Sequence, residues 1–140
     1  MPNTALEPYL FFNGRSDEAI AFYQTALNAE IVMRMTYKES PEKSQMPLPP
    51  GWEEKVMHAN IKIGSANMLL SDGCGEPQKF EGFSLALTFN DDAEAKRAYD
   101  ALVEGGEVNM PLMKTFFATS FGMLRDRFGV NWMLMVPAAR

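Results

Sequence analysis

Apolar residues recur at helical spacing in two separate segments of the chain. The first segment, residues 17–28, begins with Asp17-Glu18; the second, residues 93–104, follows Asp91-Asp92 and stops at Gly105-Gly106. Acidic residues favour the start of a helix, and glycine favours its end. Both segments are therefore predicted to be amphipathic helices.

Shorter segments of alternating or continuous apolar residues flank both helices and predict strands. They are residues 6–12, 31–37, 56–63 and 67–71 in the first half, and 83–89, 108–113, 117–124 and 131–136 in the second. The motif Gly-x-x-x-Met-Leu occurs once in each half, which indicates a weak internal duplication. The predicted fold is α+β, with two paired βαβββ modules of about residues 5–73 and 82–137 in a single domain, residues 1–140.

In each module, the helix is expected to cover one face of the sheet. The opposite faces of the two sheets are then expected to enclose a concave, largely apolar pocket. Side chains alternate along a strand, which puts His58 and Asn60 on the pocket face and Ala59 and Ile61 beneath the helix. Met123 and Arg125 are expected to match His58 and Asn60 in the second module. On the final strands, the residues predicted to face the pocket are Met68, Leu70, Met133 and Met135, and those predicted to face the core are Trp132 and Leu134.

Composition narrows the possible partners and the compartment. The 140 residues include 46% apolar and 22% charged side chains and carry a net charge of −5, which fits a globular protein that does not bind nucleic acid. No segment approaches the roughly 18 apolar residues of a membrane span. Cys74 is the single cysteine and is interpreted as an incidental loop residue. We expect a cytoplasmic protein that binds neither nucleic acid nor membrane.

Four pieces of the sequence resemble the PhnB-like branch of the vicinal-oxygen-chelate superfamily, which includes glyoxalases, bleomycin-resistance proteins and dioxygenases. In chain order they are residues 8–12, 18–23, 57–60 and 128–133. The resemblance implies the paired βαβββ fold and a homodimer. Proteins of this branch are often described as 3-demethylubiquinone-9 3-methyltransferase-like. No glycine-rich, nucleotide-type loop follows a strand here, so methyl transfer is not expected.

The same resemblance locates the positions that hold a divalent metal in the superfamily's enzymes, where His, Gln or Glu come from the first and last strands of each module. Here those positions fall on Met68 and Met133 in the last strands, and on Pro8 or Tyr9 and Ser84 or Leu85 in the first strands. Such side chains are poor ligands for a catalytic divalent ion. Neither a metal nor another cofactor is expected.

Three functions remain open from the sequence. The first is metal-independent binding of a small apolar or aromatic molecule. The second is an enzyme that uses His58, and Arg125 with it, in acid–base chemistry, although a hydrogen-bonded strand histidine is the simpler interpretation of His58. The third is a structural or regulatory homodimer. The candidate ligand-binding residues are Tyr9, Trp52, His58, Asn60, Met68, Met123, Arg125, Met133 and Met135, with Trp52 either a lid or an anchor of its loop.

Overall fold

Both predicted helices and all eight predicted strands are present in the computed structural model, which describes residues 4–40, 48–73, 75 and 79–138. The chain divides into two compact units, Met1–Gln78 and Lys79–Arg140. Each unit contains one four-stranded sheet and one helix, in the order βαβββ. The predicted α+β class and module order are confirmed. Cys74 and residues 41–47 lie outside the described residues.

The elements of the two units correspond one to one. The first unit contains β1 (Tyr9–Phe11), α1 (Ser16–Leu27), β2 (Glu30–Thr36), β3 (Val56–Ile63) and β4 (Ala66–Ser71), with a short 3₁₀ turn at Trp52–Glu54. The second contains β5 (Leu85–Thr88), α2 (Asp92–Val103), β6 (Glu107–Met113), β7 (Ala118–Arg125) and β8 (Asn131–Pro137). The strand orders are β1-β4-β3-β2 and β5-β8-β7-β6, and the first strand of each unit runs parallel to the last. Both first strands are shorter than the sequence predicts.

One face of the first sheet forms the core of its unit together with α1. Ala59 and Ile61 of β3 are fully buried, as predicted, and so are Ala19 and Tyr23 of the helix. Residues directly opposite each other in an antiparallel pair share a face. Ile61 lies opposite Met68, and Ala59 lies opposite Leu70. Met68 and Leu70 therefore face this core, and the prediction that they face the pocket is wrong.

The error comes from the faces on which the two hairpins close. Ile63 pairs with Ala66, so two residues form the β3–β4 turn, whereas Arg125 pairs with Asn131 across five residues. The Ile63–Ala66 pair has the parity of the core residues Ala59 and Ile61, whereas the Arg125–Asn131 pair has the parity of Met123 on the other face. Each turn glycine stands two residues before the closing residue of its last strand, so counting four residues from it reaches the core face in the first sheet and the opposite face in the second. Leu69 is the residue of β4 that occupies the face predicted for Met68.

The second sheet follows the predicted alternation. Trp132 and Leu134 are buried, whereas Met133 and Met135 lie on the other face, opposite Met123 and Phe121 respectively. Equivalent parallel hydrogen bonds run from Phe12 N–H to Ser71 C=O and from Phe89 N–H to Met135 C=O. These hydrogen bonds make Ser71 equivalent to Met135. The residues paired with β4 and β8 then align so that Met123 corresponds to Asn60 and Phe121 corresponds to His58. The predicted match of Met123 with His58 and of Arg125 with Asn60 is wrong by two residues, which leaves the face unchanged.

A buried carboxylate fixes the end of the first sheet. Asp72, directly after β4, is 2% exposed. Its Oδ1 accepts hydrogen bonds from the backbone N–H groups of Gly14 and Ser16, and its Oδ2 accepts one from Val56, all at 2.8 Å. The Ser16 contact satisfies a free N–H at the start of α1, where the N-cap residue Arg15 makes no side-chain cap. The ends of β1 and β4 and the start of β3 are thereby held together.

We predict that Asp72→Asn lowers the free energy of unfolding by roughly 1–3 kcal/mol, the cost of a buried hydrogen-bonding group left without a partner. An amide has one accepting oxygen, and its NH₂ group would face an N–H donor. Urea denaturation measures the change. The matched control is Asp100→Asn, in an exposed ion pair with Lys96, where a change within about 0.5 kcal/mol is expected. An equal loss in both variants would contradict the anchoring role of Asp72.

Candidate functional site

The face of the first sheet that α1 leaves uncovered carries most of the polar candidates, and we call it the first open face. Strand pairing defines its members: Met33 lies opposite Asn60, Met35 opposite His58, and Asn60 opposite Leu69. In the parallel pair, Tyr9 lies beside Leu69 and Phe11 beside Ser71. The first open face therefore consists of Tyr9, Phe11, Met33, Met35, His58, Asn60, Leu69 and Ser71.

Tyr9 and His58 meet on this face although they are far apart in the chain. The phenol Oη of Tyr9 is 2.9 Å from Nδ1 of His58. Burial raises the pKa of Tyr9, and a hydrogen bond with the Ser71 side chain lowers it by a smaller amount. Ser71 itself accepts a hydrogen bond from the backbone N–H of Gly73 at 3.0 Å. Four groups thus form a connected hydrogen-bond chain that ends at the imidazole.

Aromatic rings from β1 and β3 lie side by side on this face. The Phe11 and Tyr9 rings are stacked with centroids 5.1 Å apart, and the Tyr9 and His58 rings are tilted with centroids 5.5 Å apart. Tyr9 and Phe11 are each 41% exposed. A continuous row of partly exposed rings, with a polar imidazole at one end, is a suitable surface for a flat molecule.

Asn60, beside the aromatic row, has an unsatisfied polar atom. Its Oδ1 is buried and has no hydrogen-bond partner among the residues that the structure describes. The residues opposite it on the neighbouring strands, Met33 and Leu69, are apolar. A buried acceptor without a donor costs stability, so a donor from beyond the described residues would stabilise it.

Trp52 packs against the segment between β1 and α1. Its indole ring packs against Gly14, where an added β-carbon would lie 3.3 Å from the ring atom Cζ2. The Lys55 ammonium also donates to the Gly14 carbonyl oxygen, at 2.9 Å. These contacts tie the 3₁₀ turn to the segment between β1 and α1.

The uncovered face of the second sheet is apolar where the first is polar. Phe121, Met123, Met133 and Met135 lie on it in opposed pairs. Arg125, expected as a polar contact for a ligand, is exposed at the end of β7 and forms an ion pair with Glu107 at 3.4 Å. Guanidinium and carboxylate partly satisfy each other there, which leaves Arg125 a weaker candidate than His58.

The residues at the superfamily's metal positions do not fit a divalent ion. With the corrected register, the neighbouring first-strand and last-strand side chains are Tyr9 and Leu69 in one unit, and Ala86 and Met133 in the other. A phenol, an aliphatic chain, a methyl group and a thioether do not form a ligand set for such a metal. Over the described ranges, no group of three or more His, Cys, Asp or Glu side chains is placed to hold a metal ion.

A cavity of about 420 Å³ lies elsewhere, where β5 leads into α2. Its lining residues are Thr88, Phe89, Asn90, Asp91 and Glu94. None of the predicted site residues lines it. In the part of the chain that the structure describes, no helix is long and apolar enough to cross a membrane.

Solved structures with this arrangement of sheets and helices define the class of protein. The crystal structure of protein PA1353 from Pseudomonas aeruginosa is 39% identical, with a TM-score of 0.84, over 96% of this chain and 98% of that one. The fosfomycin resistance protein FosX from Listeria monocytogenes shares only the fold, with 14% identity and a TM-score of 0.65, over 99% of this chain and 96% of that one. The fold is that of the vicinal-oxygen-chelate superfamily.

Sequence comparison identifies the family within this class. The family model described as 3-demethylubiquinone-9 3-methyltransferase matches residues 4–135, and the chain belongs to this PhnB-like family. Protein YjdN of Escherichia coli strain K12 is 35% identical over 138 residues, covering 94% of each chain. A Bacillus cereus structure described as a putative 3-demethylubiquinone-9 3-methyltransferase, PhnB protein, is 27% identical, with a TM-score of 0.79, over 95% of this chain and 99% of that one.

Sequence reasoning named Tyr9, His58 and Asn60 as candidates, and the structure places beside them two residues that were not candidates, Ser71 and Phe11. Ser71 lies on the first open face because the Gly64-Ser65 turn contains two residues. Glycine in a two-residue connection is a known hairpin signal and could have set this register. Phe11 follows from simple alternation with Tyr9.

We predict that Asn60→Leu raises the free energy of unfolding by about 1 kcal/mol, because it removes a buried acceptor that has no donor. Thermal and urea denaturation measure the change. The control is Asn67→Leu on the neighbouring strand β4, opposite Lys62, whose side chain carries no such orphaned atom. A loss of stability in Asn60→Leu, or an equal gain in the control, would show that Oδ1 is already satisfied.

Proposed function

We propose that this protein binds a small aromatic or largely apolar molecule on the first open face, without a metal ion. The observation that carries the proposal is the row of rings formed by Phe11, Tyr9 and His58, two of which are 41% exposed. Large apolar side chains that remain exposed together on a folded surface mark binding sites.

The site has both the binding surface and the orienting groups that such a ligand needs. Aromatic contacts contribute about 0.5–1.5 kcal/mol each beyond the burial of their area. His58 and Asn60 supply two polar groups on a mainly apolar face, an arrangement typical of small-molecule sites. Met33 and Met35 border them with flexible thioethers that adapt to ligand shape. Met123, Met133 and Met135 remain candidates for further apolar contact, whereas Met68 is withdrawn because it is in the core.

Methyl transfer, which the family description names, is not supported by the residues of this chain. The segment between β1 and α1 contains the single glycine Gly14. The N–H groups of Gly14 and Ser16 donate to the Asp72 carboxylate, so they are not free to hold a cofactor in this segment. We therefore derive no methyl-transfer step.

Titration with indole, 2-naphthol and benzophenone tests the proposal. We predict that at least one compound shifts the NMR resonances of His58 and of the Phe11 backbone amide. We also predict that Phe11→Ala weakens its binding roughly tenfold, or about 1.4 kcal/mol, since a stacking surface is lost. Isothermal calorimetry or the NMR titration gives the dissociation constant.

The matched control for that experiment is Phe83→Ala, which removes an exposed phenylalanine from the second unit. Affinity should stay unchanged in this variant. The proposal fails if none of the three compounds shifts resonances of the first open face up to its solubility limit, or if the two variants weaken binding equally.

A homodimer is a second proposal, which the edge strands support. Ile31, Val32 and Met33 of β2 are each at least 40% exposed, and Val108 and Met113 of β6 are at least 50% exposed. Exposed apolar edges favour association. The cytoplasmic location and the lack of nucleic-acid and membrane partners stay predictions.

Light scattering at micromolar concentration should give the mass of a dimer, near twice 15.7 kDa. The double variant Val32→Lys with Val108→Lys should shift the mass toward that of a monomer, because lysine at an edge opposes pairing. Lys62→Ala, at a polar exposed position of β3, should leave the mass unchanged. A monomeric native protein would refute the dimer without affecting the proposed ligand site.

A further inference from the structure

We propose that the hydrogen-bond chain Gly73–Ser71–Tyr9 fixes His58 as a hydrogen-bond donor, with its proton on Nε2. The molecule bound at the first open face would then carry a hydrogen-bond acceptor at this point. The statement about the ligand rests on the proposed function, whereas the state of His58 does not. Tyr9 and Ser71 are positioning residues in this scheme.

The direction of donation along this hydrogen-bond chain is set at its first group, the backbone N–H of Gly73. A backbone N–H can only donate, and that of Gly73 donates to Ser71 Oγ at 3.0 Å. Gly73 is itself held by a second element, because the Tyr37 hydroxyl, just after β2, donates to the Gly73 carbonyl oxygen. The donor at the start of the chain is thereby fixed in place.

The second step identifies the acceptor of the Ser71 hydroxyl hydrogen. This residue is 4% exposed, so its hydroxyl cannot rely on bulk water as an acceptor. A side-chain hydrogen bond links Ser71 with Tyr9, and the Tyr9 oxygen also lies 2.9 Å from Nδ1 of His58. A phenol donates to a basic imidazole nitrogen more readily than to a hydroxyl oxygen, so Ser71 is the donor in its hydrogen bond with Tyr9. The Tyr9 oxygen then accepts from Ser71 and has its own proton left to donate.

The third step ends at the imidazole. Burial, the larger influence, raises the pKa of Tyr9, so the phenol keeps its proton near neutral pH. That proton points to Nδ1 of His58, which lies 2.9 Å from the phenol oxygen. A neutral imidazole that accepts at Nδ1 carries its proton on Nε2. Within the described residues, Nε2 has no protein partner, and the half-buried ring lies on the open face.

The consequence is a specific kind of recognition. An Nε2–H group donates to a carbonyl, ether or nitro oxygen, and it does not abstract a proton. A site with a donor committed in this way favours an acceptor-bearing ligand over a hydrocarbon of the same shape, because the hydrocarbon leaves the donor unpaired. This assignment runs against the use of His58 Nε2 as a general base.

The state of His58 can be measured directly, because it is the single histidine and gives one set of imidazole signals. Long-range ¹H–¹⁵N spectra of the native protein should show the Nε2–H form with Nδ1 accepting a hydrogen bond. In Tyr9→Phe, the Nδ1 resonance should move to the position of a nitrogen without a hydrogen bond. Ser71→Ala should move it by a smaller amount in the same direction.

The control is Ser120→Ala, which removes a hydroxyl that donates to Asp92 in the second unit. This variant should leave the His58 signals unchanged. Backbone amide spectra establish that each variant is folded. A proton on Nδ1 in the native protein, or an unchanged Nδ1 resonance in folded Tyr9→Phe, overturns the proposal.

The ligand class is tested with benzophenone and diphenylmethane. The two compounds have the same pair of phenyl rings, but benzophenone joins them through a carbonyl group and diphenylmethane through a methylene group. The native protein should bind benzophenone roughly tenfold more tightly, a difference of about 1.4 kcal/mol, and His58→Leu should remove this preference. Equal affinities in the native protein overturn the acceptor requirement. If neither compound binds while the Nε2–H form is observed, the proposed function fails and the assignment of His58 stands.

Discussion

The carboxylate of Asp72 is the interaction on which the first module depends. Backbone N–H groups from three separate segments converge on its two oxygens at 2.8 Å, and the carboxylate is almost fully buried. The two residues on either side of it, Ser71 and Gly73, begin the hydrogen-bond chain that reaches Tyr9 and His58. A single charged side chain thus holds the strand ends together and places the groups of the candidate site.

The two modules share a framework but differ in the chemistry of their open faces. Where the first module has His58, Asn60 and Ser71, the second has Phe121, Met123 and Met135 at corresponding positions. The second module also has an acidic anchor: the buried Asp126 carboxylate accepts from the Phe128 and Val130 N–H groups and from the Trp132 indole. Its partners lie in the loop before β8 and in β8 itself, so it orders a hairpin rather than three segments. The polar candidates are consequently concentrated in the first module.

Hydrophobic periodicity was sufficient to predict the helices, the order of helices and strands along the chain, and the core side of β3, because these depend on local spacing. His58 and Asn60 lie on the face opposite the core, as alternation requires. Met68 was placed on the wrong face because the count from the turn glycine assumed that both hairpins close on the same face of their sheets. The contact of Tyr9 with His58 depends on the parallel pairing of β1 with β4, a long-range feature that periodicity does not encode. Ser71 entered the site through the same register.

The two faces of the first sheet show how the chain supports a site at a cost in stability. On the core face, Ala59, Ile61 and Leu70 are fully buried against neighbours that include α1. The opposite face retains exposed rings at Tyr9 and Phe11, and Asn60 Oδ1 lacks a donor within the described chain. Each of these features lowers the stability of the unliganded protein. Because residues of opposite parity belong to different faces, the unfavourable groups accumulate on one side without disturbing the packing on the other. A bound molecule that covers the rings and supplies hydrogen-bond partners would recover part of the stability that this face gives up.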